Sequence, residues 1–272
     1  MGAEALAVTA DVGDAEAVDQ LANRTVERFG RIDVWVNNAG VILYGRFEDC
    51  PAEDFERVVR TNVLGQVHGA RAALRQFRKQ GRGVLINMGS VWGRVSSPQV
   101  SAYVASKHAV RAFSECLREE LRHEPDIEVA TMLPQAADTP IFAHAGNYTG
   151  RQVCPIPPLV TAEGVADGIL ACARDPKREV TFGRAGRLVG VFHMVAPGLY
   201  LKLLPPFFER GTFGAKPRPP SPGNLYNPSE PYAQVDGGWE RRRRLPKRLA
   251  AAGAVLGVPL AGLLLRRRRP GG

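Results

Sequence analysis

Val84-Leu85-Ile86-Asn87-Met88-Gly89-Ser90, followed after twelve residues by Tyr103-Val104-Ala105-Ser106-Lys107, is the stretch on which the reading of this chain turns. The first part is an apolar run closed by Gly89 and reads as a buried strand ending in a hydroxyl. The second lies in a segment, Ala102–Arg122, with helical spacing. Residues four apart share a helix face, so the Lys107 ammonium can lie beside the Tyr103 phenol. A free phenol titrates near pH ~10, and a neighbouring cation favours its ionised form and lowers that value. The spacing therefore predicts a phenol tuned to exchange protons near neutrality, with the Ser90 hydroxyl at hand for the same oxygen.

Outward from this stretch, strand-like and helix-like segments alternate. Ala5–Asp11 is strand-like; Asp14–Phe29 is helical, with Gly13 or Asp14 at its start and Gly30 as its stop. Ile32–Val36 is a strand running into Asn37-Asn38-Ala39-Gly40, and Pro51–Gln80 holds one or two long helices. Ile127–Pro134 is another strand, Thr161–Arg174 a helix capped by Thr161, and Glu179–Phe182 a short final strand. Such alternation predicts an α/β fold with a mostly parallel sheet covered on both faces. The run Leu188–Phe208 is apolar but broken by His193, Pro197, Gly198, Lys202 and Pro205, and reads as a pocket wall or membrane-facing helix rather than a span. The Gly-rich segment His144–Gly150 reads as a lid or a surface loop.

The 272 residues suffice for one large α/β domain or two small ones. The net charge of +9 is concentrated: residues 239–272 carry ten Lys and Arg against the single acid Glu240, which leaves residues 1–238 balanced. Cys50, Cys116, Cys154 and Cys172 form no CxxC pair, and the five histidines share no ligand spacing, so neither a metal site nor a disulfide framework is expected. Met1-Gly2-Ala3-Glu4-Ala5 opens no secretion signal, and a cytoplasmic location is expected, with membrane association through the tail.

These residues together resemble the short-chain dehydrogenase/reductase family over roughly residues 3–210. The resemblance is carried by Asp11-Val12, Asn37-Asn38-Ala39-Gly40, Asn62, Ser90, Tyr103 with Lys107, and Pro134 followed by Thr139. It implies a doubly wound Rossmann-type sheet and an NADP- or NAD-dependent interconversion of a carbonyl and an alcohol, with NADP favoured. Tyr103 is then the general acid/base, Lys107 binds the nicotinamide ribose and lowers the Tyr103 pKa, and Ser90 orients the substrate oxygen. Asn62 holds a water that relays protons to Lys107. Asp11 and Val12 flank the adenine, Asn38, Ala39 and Gly40 line the cofactor cleft, and Pro134 and Thr139 lie against the nicotinamide. A small, apolar carbonyl or alcohol substrate and a homo-oligomer are expected; a nucleic-acid partner is not.

Two departures from the family pattern stand out. A strand, a Gly-rich turn and a helix whose N-terminus holds the pyrophosphate should come first, and this chain opens at what would be the third strand. Gly183, Gly186 and Gly190 have the wrong spacing and context to replace that turn. The expectation is a sheet lacking its first strands, explained by an N-terminally incomplete sequence, a short form that binds cofactor weakly, or strands supplied by a partner; Ile32–Val36 then becomes an exposed apolar edge. A non-catalytic binding protein without the phosphate cradle is the competing class. The second departure is Gln135, where the family has Gly after Pro134, and it predicts an altered loop over the nicotinamide.

Composition divides the chain into a domain at 1–210, a Pro/Gly-rich linker at 211–240 and a basic–apolar–basic tail at 241–272. Within the tail, 249–265 runs without a charge, near the ~17-residue lower limit for a span, between arginines suited to anionic lipid head groups. Insertion, surface docking and a disordered basic tail all fit it.

Overall fold

The structure, a computed structural model, describes residues 3–228 and 234–239. The chain divides into two units, 1–237 and 238–272, and the first is described below. The tail at 241–272, with its apolar stretch 249–265, lies outside the described residues. Among the described residues no helix is long and apolar enough to cross a membrane.

Helix α1 (Ala15–Phe29) starts where Asp14 accepts hydrogen bonds from the amides of Glu16 and Ala17, and stops at Gly30, whose φ of 83° is left-handed. Strand β1 (Val34–Asn37) follows, then the short β2 (Leu43–Tyr44) and helix α2 (Ala52–Val59). A π-helical turn, Arg60–Leu64, joins α2 to α3 (Gly65–Gln80), so the long helical region expected after Pro51 is a single rod with one widened turn. Strand β3 (Gly83–Met88) leads through a 3₁₀ turn, Val91–Gly93, to α4 (Ser101–Glu120). Then come β4 (Ile127–Pro134), the one-turn α5 (Ile141–His144), β5 (Gly146–Asn147) and β6 (Arg151–Val153). Helix α6 (Ala162–Arg174) is capped by the Thr161 hydroxyl, which accepts from the Gly164 amide. Strand β7 (Glu179–Phe182), helices α7 (Arg184–Val195) and α8 (Pro197–Thr212), and strand β8 (Phe213–Pro217) complete the unit.

The main sheet is parallel throughout, in the order β1-β3-β4-β7. Leu85, Ile86, Ala130, Met132 and Leu133 are wholly buried, as near-continuous apolar strands covered by helices on both faces must be. One layer is α1, α3 and α4, whose Val18, Phe77 and Leu117 join Leu85 and Val129 in the core; the other includes α6, with Cys172 against Ile86 and Met132. This is the expected Rossmann-type α/β architecture.

Ala5–Asp11 forms no strand, a correction to the reading above: a strand needs a ladder partner, and none of the described residues offers one. Val34 and Val36 of β1 are each 37% exposed at the sheet edge. The segment 144–150 is no free lid, because β5 pairs with β2 and the Asn147 side chain donates to the Arg151 carbonyl at 2.8 Å. Residues 213–225 are also built into the fold, although their composition suggested a linker. Strand β8 pairs with β6, the Ser221 and Asn147 amides and carbonyls exchange bonds, and Leu225 is buried.

Candidate active site

The C-terminal end of β3 presents the Ser90 hydroxyl, and its position rests on two glycines. A Cβ at Gly89 would stand 2.7 Å from Leu133 Cδ2, so glycine lets β3 close on β4 there. A Cβ at Gly93 would stand 2.7 Å from the Lys107 carbonyl oxygen, so the turn after Ser90 is pressed directly onto the backbone of α4. Ser90 Oγ accepts the Trp92 amide at 3.2 Å, and it lies near enough to the Tyr103 phenol to favour its ionised form.

Helix α4 buries one stripe, Tyr103, Ser106, Lys107, Val110, Ser114 and Leu117, and that stripe carries the phenol and the ammonium to the cavity. Lys107 Nζ lies 5.4 Å from the Tyr103 ring centroid and donates to the Met88 carbonyl at 2.7 Å. Trp92 meets Tyr103 edge to face at 5.8 Å. Ser90, Tyr103 and Lys107 are thus brought together as their spacing predicts.

Their electrostatics differ from the expectation. Burial pushes Tyr103 up to about 12, and the nearby Ser90 side chain recovers only part of the shift. Burial also pushes Lys107 down to about 8. The ammonium lies beside the ring and donates to a carbonyl, and desolvation outweighs any help it gives the phenolate. Tyr103 is therefore a neutral proton donor near neutral pH, and Lys107 is the group that titrates in that region.

Asn62 sits in the π turn, fully buried. Its amide nitrogen donates to the Val41 carbonyl at 2.9 Å and to Ser106 Oγ at 3.0 Å, and its oxygen accepts the Val41 amide at 2.8 Å. Both side-chain donors are spent on the protein, which pins the loop after Gly40 to α4. A second buried chain of amides lies behind it: Asn37 donates to Asn87 at 2.9 Å, and Asn87 to Ser114 at 2.9 Å.

A cavity of about 590 Å³ opens on these groups. Asn38, Gly40, Pro134 and Thr139 line it alongside Ser90, Tyr103 and Lys107. Ala39 is solvent-exposed beside it. Asp11 and Val12 lie outside the lining. Asp11 holds the Gly13 amide at 2.9 Å and pairs with Arg57 at 2.9 Å; burial opposes its ionisation, but these two contacts keep its pKa below the usual value. Val12 packs where a Cβ on Gly65 would meet it at 2.7 Å. The far wall is apolar, with Ile156 after β6, Val165 and Ile169 of α6, Val189 of α7, and Leu204 and Phe208 of α8.

Two contributors escaped the sequence reading, and a third, Gln135, does more than was expected of it. Trp92 buttresses Tyr103, and its place two residues after Ser90 was a usable signal. Tyr44 also lines the cavity and is almost fully buried; burial, then the neighbouring Tyr103, holds its pKa well above the ordinary value. Gln135 does more than alter a backbone angle: its amide donates to the Pro158 carbonyl at 2.7 Å and accepts from the Gly186 amide at 3.1 Å. Gly183, at φ 95°, does sit between a strand and a helix, β7 and α7, contrary to the context assigned to it above. A Cβ there would stand 1.9 Å from Gln135 Oε1, so the space at the start of α7 is filled by this side chain.

The donor set fits a nicotinamide dinucleotide at its nicotinamide end. Lys107 spends one of three ammonium protons on Met88, and Gly40, lacking a Cβ, leaves Lys107 Nζ within 3.7 Å of the space that Cβ would fill.

Comparison with known proteins agrees. The short chain dehydrogenase family profile matches residues 1–148. An uncharacterized oxidoreductase of Bacillus subtilis, YxnA, is 31% identical over 277 residues, covering 97% of this chain and 76% of that protein. A short-chain dehydrogenase/reductase from Burkholderia phymatum, solved in complex with NAD, superposes with a TM-score of 0.64 at 25% identity, covering 73% of this chain and 78% of that one. A short-chain dehydrogenase from Burkholderia cenocepacia, in complex with NADP, gives 0.60 at 25% identity, covering 72% and 77%.

Proposed function

The chain belongs to the short-chain dehydrogenase family, an oxidoreductase class acting on CH–OH/C=O pairs with NAD(P), and on that premise we propose that it interconverts an apolar carbonyl and its alcohol with Tyr103 as the proton donor and acceptor. The observation that carries this reading is the meeting of Ser90 and Tyr103, with Lys107 beside the ring, in the lining of one largely apolar cavity.

When bound, the nicotinamide supplies the hydride for the carbonyl carbon. Asn38, Ala39, Gly40, Pro134 and Thr139 would hold its nicotinamide half, Lys107 its ribose, and Asp11 and Val12 its adenine end. In the reduction direction Tyr103 passes its proton to the carbonyl oxygen as negative charge grows there. Ser90 supports the same oxygen as a second donor aimed at the developing charge. Lys107, titrating near 8, restores the proton to Tyr103. Asn62 fixes the loop after Gly40 and Ser106 of α4, and so sets the distance between cleft and phenol.

The apolar walls favour a lipophilic substrate. The test is an assay of the purified chain with NADPH and NADH against lipophilic ketones, aldehydes and sugars. NADPH- or NADH-dependent reduction favouring the lipophilic carbonyls is expected. Preference for sugars, or the absence of cofactor-dependent turnover, would overturn the reading.

A further inference from the structure

The two helices that wall the cavity have an outer face that none of the described residues covers. On α7 the exposed positions are Arg184, Arg187, Leu188, Val191, Met194 and Val195, one stripe at helical spacing. Its far end is the most open, with Met194 74% and Val195 73% exposed. The stripe continues across Ala196 into α8, where Leu199, Leu203 and Phe207 are exposed. The inner faces are firmly seated: Tyr200 is wholly buried, its hydroxyl donates to the Ser96 carbonyl at 2.5 Å, and Val189 and Leu204 pack on Val91 and Val95. A well-anchored element therefore holds a large apolar surface in water, which marks a docking site.

The charges select its partner. Arg184, Arg187, Lys202 and Arg210 are exposed around this face, and the one acid in 184–212, Glu209, is held by Gln99 at 3.3 Å. An apolar face with a basic rim is the pattern of an element lying in the interface of an anionic bilayer. A second copy of this chain would set one basic rim against another, and the chain's own arginine-rich tail would do the same. Lys202 has a stem long enough to keep its ammonium at the head groups while Leu201 and Leu203 enter the acyl region.

We propose that the outer face of α7 and α8 docks on the surface of an anionic lipid bilayer. Phe207 belongs to both surfaces, being 44% exposed and also lining the cavity. It marks the passage by which an apolar substrate leaves the bilayer for Tyr103, a consequence that rests on the proposed activity, whereas the docking does not.

The experiment uses the full chain with vesicles of phosphatidylcholine alone or mixed with phosphatidylglycerol, read by co-sedimentation and by amide hydrogen exchange. Mixed vesicles should bind the chain and slow exchange across 188–207. Met194→Glu with Leu199→Glu, both at exposed positions, should leave circular dichroism unchanged, lower partitioning at least about tenfold and abolish the local slowing. Arg184→Glu with Arg187→Glu should weaken binding to mixed vesicles and its dependence on salt. The proposal is overturned if the Met194/Leu199 variant binds as tightly as the native chain, if protection maps elsewhere, or if the face proves to join two copies and vesicles leave it unprotected. None of these readouts requires turnover, so an inactive chain that docks would refute the enzymatic reading alone.

Discussion

Replacing Lys107 by Met should make the protein more stable and inactive. The site holds the ammonium 3% exposed, with the Met88 carbonyl as its hydrogen-bond acceptor and the Tyr103 ring beside it. Burial lowers its pKa to about 8 from an ordinary value of 10.5. Below pH 8 the charged form is retained in the fold against this penalty, about 3 kcal/mol at pH 7. Between the two values the unfolded chain binds more protons than the folded one, so native stability rises with pH and the penalty falls to about 1 kcal/mol at pH 10. Met fills a similar volume without a charge; it leaves the Met88 carbonyl without its donor, at a cost of about 1 kcal/mol. Lys107→Met should thus gain about 2 kcal/mol at pH 7 and nothing at pH 10. Urea unfolding followed by circular dichroism, native and variant side by side at both pH values, measures the difference. A stability difference that does not change with pH would refute the reasoning, because packing and lost hydrogen bonds do not titrate there.

Gly69→Ala should cost about 3 kcal/mol in thermal unfolding, since its Cβ would stand 2.0 Å from Asn37 Oδ1 and displace the buried amide chain. Glu179, paired with Arg94 and with Arg111 at 2.5 Å, stays ionised more readily than usual, because the two guanidinium bonds outweigh burial. Glu179→Gln should therefore lose about 1–2 kcal/mol at pH 7, a loss that disappears as pH falls through the depressed native value. Gln135→Gly should free the Gly186 amide and the Pro158 carbonyl, speed hydrogen exchange at the start of α7, and raise KM more than it lowers kcat.

What could be read from sequence was local. The α4 stripe, the Asp14 and Thr161 caps and the Gly30 stop follow from spacing and residue type, and the structure repeats them. The exposed β1 edge was legible because a strand's need for neighbours is a rule of topology. The Tyr103 pKa was not legible: spacing places the ammonium on the right helix face, but the direction of the shift depends on burial by distant segments and on where Nζ finds its acceptor. Gln135 joins residues 23 and 51 positions away, and only tertiary contact reveals such a link. Strands β5 and β8 are short and pair across long separations, so neither alternation nor composition betrayed them; Pro and Gly at 216–223 masked a segment whose flanking Phe213 and Leu225 are buried.

The central claim is that the Tyr103 hydroxyl moves the proton, and Tyr103→Phe removes that atom while leaving the ring against Trp92. Its kcat for cofactor-dependent carbonyl reduction, set beside its affinity for NADPH and NADH, is the decisive measurement. The account predicts a fall of about 10²–10⁴ in kcat with cofactor affinity unchanged. Turnover close to that of the native chain would contradict it.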